Sequence, residues 1–151
     1  MTAEYRQLAD DFFVAPQISP GAVRDAAGDG FKLIVNNRPD GEAPGQPRGE
    51  EIEAAAREAG LGYAFIPVGP AGITRGHIDA LKSALNEAGQ GKTLAFCRSG
   101  ARSAFVYAYT AAASGRPVHE IVAGAAQAGF DVSAHAGVLE QLNNEATKDD
   151  E

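Results

Sequence analysis

The chain of 151 residues has the length of one ordinary domain, and with 44% hydrophobic residues it can fill a single core without disulfide or metal. A net charge of −7 argues against the broad basic face that nucleic acid or an anionic membrane surface requires. The single cysteine rules out an intrachain disulfide, no apolar run nears a membrane span, and residues 1–5 lack the basic-then-apolar pattern of a secretory leader, so the expectation is a cytoplasmic protein.

Short apolar runs alternate with amphipathic stretches, the order of an α/β domain. A strand is expected at 11–15 (DFFVA). Ser19-Pro20 opens a helix, with Ser as N-cap and Pro at the first helical position, and Gly28 ends it. Residues 31–36 (FKLIVN) read as a buried central strand. Residues 37–48 hold three prolines and two glycines and form a loop. An Ala- and Glu-rich helix follows at 50–59, stopped by Gly60, and then a strand at 63–68 (YAFIPV). After a turn at 69–72, Thr74 caps a helix to about Ala88, with Ile78, Leu81 and Leu85 on one face. Residues 89–92 break it, and the apolar strand 93–96 (TLAF) ends at Cys97. Helices are expected at 101–113, 118–128 and 133–142. Residues 143–151 read as an acidic, frayed tail, which leaves a single domain at 1–142.

The segment Cys97-Arg98-Ser99-Gly100-Ala101-Arg102-Ser103 joins a strand to a helix. Anion sites of open α/β sheets lie at such junctions, beyond the carboxyl ends of the strands. A nucleophilic cysteine must be a thiolate, which a helix N-terminus and nearby guanidinium groups favour. Gly100 allows the tight turn that points successive N–H groups inward as a nest. Arg102 can grip two oxygens of a tetrahedral anion. Ser103 can hydrogen-bond the thiolate or cap the helix. The alternative is a small buried residue at a strand end, as free cysteines often are. Cys97 and Arg102 are therefore the candidate catalytic residues, and Arg98, Ser99, Gly100, Ala101 and Ser103 the candidate anion-binding loop. Arg38, Asp40 and Glu42 follow a central strand, so their loop should reach the same sheet edge. Arg38 is a candidate anion ligand and Asp40 or Glu42 a candidate acid or orienting group, against the plainer reading of a solvated turn. His77, His119 and His135 lie on three separate helices without metal-ligand spacing, so neither metal nor cofactor is expected.

The Cys97 loop resembles those of rhodaneses and of tyrosine phosphatase-like enzymes. Together with residues 34–42 (IVNNRPDGE), 65–68 (FIPV) and 128–131 (AGFD), it resembles the phosphatase-like domains of beta-lactamase hydrolase-like proteins, a family also labelled sulfur transferase. The resemblance implies a compact tyrosine phosphatase-like α/β fold, with a central, mostly parallel sheet of about 4–5 strands and helices on both faces. It also implies that the domain occurs alone or fused to persulfide-processing enzymes, one of which is then a candidate partner.

Two chemistries share such a loop. Four residues separate Cys97 from Arg102, one fewer than in tyrosine phosphatase-like enzymes and equal to the rhodanese length. Ester cleavage gains from a general acid, which in dual-specificity phosphatases follows the strand before the cysteine strand; the matching stretch 67–72 (PVGPAG) has none. The residue before the nucleophile is Phe96 where those phosphatases have His. Sulfur transfer from thiosulfate or a persulfide through a Cys97 persulfide needs no acid, and a thiol such as glutathione would accept the sulfur. The residues thus favour sulfur transfer over phosphate ester hydrolysis through a phosphocysteine. A module that only binds an oxyanion or persulfide is the third reading.

Overall fold

The computed structural model describes residues 5–149, and the elements in chain order are β1 (Arg6–Ala9), β2 (Phe12–Ala15), α1 (Pro20–Gly28), β3 (Phe31–Asn36), α2 (Gly49–Glu58), β4 (Gly62–Phe65), α3 (Arg75–Ala88), β5 (Lys92–Phe96), α4 (Ala101–Ala113), α5 (Val118–Gln127) and α6 (Ala136–Asp149), with a 3-10 turn at Ser133–His135. The five strands form one sheet in the order β1-β2-β5-β3-β4. Only the β1-β2 pair is antiparallel.

Strand β5 lies at the centre, and Thr93 to Phe96 are at most 3% exposed. Such burial on both faces explains its continuous apolar run. Side chains alternate between two cores. Leu94 and Phe96 pack with Val23, Ile34 and Ile52 under α1 and α2. Ala95 packs with Leu33, Val35, Leu81, Val106 and Leu139 under α3, α4 and α6. Helices therefore cover both faces, as the resemblance implies.

The carboxyl edge of the sheet is one row. Ala15 pairs with Phe96, Phe96 with Asn36, and Asn36 with Phe65. One residue further on, four loops leave the sheet together, beginning at Pro16, Cys97, Asn37 and Ile66. The crossover topology thus brings the cysteine loop beside the loop carrying Arg38 and Glu42.

Most expected boundaries hold within a residue or two, and three differences have physical causes. Strand β1 is absent from the reading of the sequence. It is a four-residue edge strand, RQLA, with too little alternation to stand out, and it gains its place by pairing with β2 across the Asp10-Asp11 turn. Strand β4 ends at Phe65 rather than 68, because Pro67 has no N–H for a ladder, although the Ile66 and Val68 amides still reach the Asn36 and Asn37 carbonyls. The expected frayed tail is helical through Asp149, as a continuation of α6. Asn143 donates to the Ala112 and Arg116 carbonyls at the end of α4, and Glu145 pairs with Arg75 at 2.7 Å. Residues 150–151 of that tail lie outside the described residues. Among the described residues no helix is long and apolar enough to cross a membrane.

Candidate active site

Cys97 is the first residue beyond β5, and its side chain is fully buried. The Gly100 N–H donates to its Sγ at 3.1 Å, closing the loop back over the sulfur. Gly100 is the N-cap of α4 with φ of 95°, the left-handed region. A Cβ there would stand 3.3 Å from the Phe130 ring and 3.5 Å from the Ala15 carbonyl. Gly100→Ala should therefore cost about 1–2 kcal/mol of stability, read as an earlier urea-unfolding midpoint with unchanged slope. An unchanged midpoint would show that the turn is not strained against a side chain.

The first turn of α4 leaves its amides toward the loop, as helix starts do. The Ala101 N–H is taken by Ser99 Oγ at 3.3 Å. Among the described residues none accepts the N–H of Ser99, Arg102 or Ser103. These are the donors that an anion at the helix start would meet.

Arg102 has five N–H donors, and three are committed. Nη1 donates to Glu42 Oε2 at 2.7 Å and to the Val68 carbonyl at 2.8 Å, and Nη2 donates to Glu42 Oε1 at 2.7 Å. The fork is bidentate, which fixes the guanidinium plane. The Nε–H and the second Nη2–H are not taken up by Glu42 or Val68 and form a second, parallel pair of donors. Arg102 is held above the ordinary arginine pKa, first by its hydrogen bond to Glu42, against burial, and further by the Cys97 sulfur beside it. The geometry suits an oxyanion sitting between Sγ, the loop amides and that free edge.

Glu42 is shared by two arginines. Its Oε1 also accepts from Arg38 Nε at 2.9 Å. Its carboxyl is held down at about 2, first by the Arg102 hydrogen bond and then by Arg38, with burial acting the other way. Near neutral pH it has no proton to give, which argues against a substitute acid, and its contacts are those of a group that orients Arg102. Arg38 is only 5% exposed and also donates to Gln17 Oε1 at 3.1 Å, so it is no part of a solvated turn. Its Nε and Nη1 are committed to Glu42 and Gln17. Asp40 makes a different contact. Its Oδ1 accepts from the Gly49 N–H at 2.7 Å and caps α2. Arg98 is exposed, and only its carbonyl is tied down, to the Gln17 N–H at 3.3 Å.

Ser103 does not do what its spacing suggests. Its Oγ donates to Asn37 Oδ1 at 2.8 Å rather than to the thiolate or the helix start. Asn37, which was not among the candidate residues, is the centre of the scaffold. Its N–H donates to the Phe96 carbonyl, its carbonyl accepts from Val68, and its Nδ2 donates to the Ile66 carbonyl at 2.9 Å. One residue, 1% exposed, thus ties the exits of β3, β4 and β5 to the start of α4 through its backbone and side chain together. The signal in the sequence is the pair Asn36-Asn37 at the end of the mostly apolar strand β3.

Two depressions lie elsewhere, about 660 Å³ between α5 and α6 and about 410 Å³ beside β1 and α5, and no loop residue lines either.

The fold and the thiol loop define a class, the cysteine-loop phosphatase-like α/β domains. The phosphatase-like domain of beta-lactamase hydrolase-like proteins matches residues 4–114, and the chain belongs to that family. A beta-lactamase hydrolase-like protein of Xylella fastidiosa (strain 9a5c) is 39% identical over 113 residues, which is 74% of this chain and 26% of that protein. The chain spans a quarter or less of the residues of one such relative from Agrobacterium fabrum, 44% identical over 87 residues and 20% of that protein. Among solved structures, a candidate phosphatase of Neisseria meningitidis Z2491 superposes with a TM-score of 0.75 at 28% identity, over 91% of this chain and 96% of that one. The kinase-associated phosphatase, a protein with a catalytic-site cysteine, shares the fold at TM-score 0.70 and 12% identity, over 97% of each chain. The comparisons support the phosphatase-type alternative and give no support to the sulfur transfer that loop length favoured.

Proposed function

We propose that the chain is a cysteine-dependent phosphatase-like hydrolase. The Cys97 thiolate attacks phosphorus, the leaving oxygen departs, and water cleaves the phosphocysteine. The observation that carries this reading is the arrangement of Arg102: Glu42 and the Val68 carbonyl hold it on one side, so its free edge is preset for the equatorial oxygens of a transferring phosphoryl group beside Sγ. Residues 67–72 contain no acid, Asp40 is a helix cap, and Glu42 is fully ionised near neutrality. The substrates of choice are therefore phosphate compounds whose leaving group needs no proton. An aryl phosphate with an acidic phenol should turn over at least about 100-fold faster than an alkyl phosphate. Comparable rates would mean that a general acid exists and would overturn this substrate class.

The missing acid also favours a second reading, sulfur transfer with a glutathione-type thiol as acceptor and a persulfide-processing partner. Sulfite leaves thiosulfate without protonation. Intact mass after incubation with thiosulfate separates the readings. An added sulfur atom on Cys97, with no aryl phosphate turnover, would replace the hydrolase by the transferase.

A further inference from the structure

We propose that His77, on α3 and outside the cysteine loop, is a positioning residue for Arg102, acting through the Pro67–Val68 peptide; the proposal rests on the oxyanion site described above. Three successive carbonyls at the exit of β4 are each held by a different side chain. Asn37 Nδ2 holds that of Ile66 at 2.9 Å, His77 Nε2 meets that of Pro67 at 2.8 Å, and Arg102 Nη1 holds that of Val68 at 2.8 Å.

The roles at His77 follow from its partners. Nδ1 lies 2.8 Å from the Thr74 N–H, which can only donate, so Nδ1 accepts. In the neutral ring Nε2 then carries the hydrogen and donates to the Pro67 carbonyl. Thr74 and His77 form a reciprocal capping box in which His stands where Glu or Gln is usual. A capping Glu would serve α3 equally well. What His adds is a second, donating nitrogen on the far side of the ring.

That donor acts on a planar unit. The Pro67 carbonyl and the Val68 N–H belong to one peptide plane. His77 holds one end of it and the Asn37 carbonyl, at 3.0 Å from the Val68 nitrogen, holds the other. Fixing both ends fixes the plane's rotation. The next carbonyl, that of Val68, is the third anchor of the Arg102 guanidinium. The free edge of Arg102 is therefore set partly by a residue that touches neither thiol nor anion.

Two substitutions divide the functions of the ring. His77→Gln keeps an acceptor for the Thr74 N–H and a donor for Pro67. His77→Glu keeps the acceptor and loses the donor. The readout is protection of Cys97, the only cysteine, from iodoacetamide by inorganic phosphate. Working at pH 8 and about 0.3 M salt, with a screening length of about 5 Å, suppresses the through-space effect of the new charge. The half-protecting phosphate concentration should rise about three- to tenfold in H77E and less than twofold in H77Q, the loss expected of one hydrogen bond. The melting temperature of H77E should match that of H77Q. Equal protection in H77E and the parent would overturn the proposal. So would a melting temperature of H77E well below that of H77Q, because the loss would then trace to the helix start. Failure of phosphate to protect the parent chain is a different result: it would overturn the oxyanion site itself, and this proposal with it.

Discussion

Cys97→Ser should reduce aryl phosphate turnover by at least about a thousandfold while leaving the fold intact. The two halves of that expectation have separate causes. Sγ sits at the floor of the loop and accepts a hydrogen bond from the Gly100 N–H at 3.1 Å, which a serine hydroxyl can also accept. The exchange removes little volume and leaves no backbone donor stranded, so near-UV circular dichroism and the urea-unfolding midpoint should stay close to those of the parent. Nucleophilicity, by contrast, depends on the thiolate, and no described side chain stands against residue 97 as a base for a hydroxyl. Turnover in the serine variant within tenfold of the parent would show that the thiol is only a buried strand-end residue. The chemistry would then have to be sought elsewhere.

Arg102→Lys should lower kcat/KM by about 100- to 1,000-fold, with kcat carrying most of the loss. The guanidinium serves two partners at once through different edges. Three N–H groups meet Glu42 and the Val68 carbonyl, and two remain for the anion. A lysine nitrogen presents its three donors at one point, so it can satisfy Glu42 or reach the oxyanion but cannot do both in plane. The charge is retained, which makes the substitution a test of geometry rather than of electrostatics. Steady-state kinetics on the aryl phosphate checks it. Parent-like kcat/KM in the lysine variant would mean that only the positive charge matters and that the bidentate arrangement with Glu42 has no part in catalysis.

Much of the fold and of the loop is legible in the sequence. The strand 31–36 and the helix 101–113 have the bounds expected of them, because a buried central strand is largely apolar and a glycine lies near each helix end. The placement of Cys97 and Arg102 also followed from local order alone, strand then glycine-containing loop then helix. The resemblance supplied the family, and the matched residues 4–114 bear it out. The choice between sulfur and phosphorus was less legible. Loop length and the missing acid pointed to sulfur, whereas the related proteins and solved structures support the phosphatase-type reading.

What the chain order determined was therefore the candidate nucleophile, its loop and the fold class, since each is a property of residues adjacent in sequence. What only the tertiary structure decided was who touches whom across the sheet edge. Glu42 is 60 residues from Arg102, and Asn37 is 66 from Ser103. Nothing local distinguishes Glu42, which grips two arginines, from Asp40, which caps a helix two positions earlier. Nor does sequence distinguish a His77 that merely caps α3 from one that also reaches the Pro67 carbonyl. Those roles arise because parallel strands end in a single row and deliver their loops to one place. A hydrogen bond there depends on ångström-scale positions that the spacing of residues along the chain does not encode.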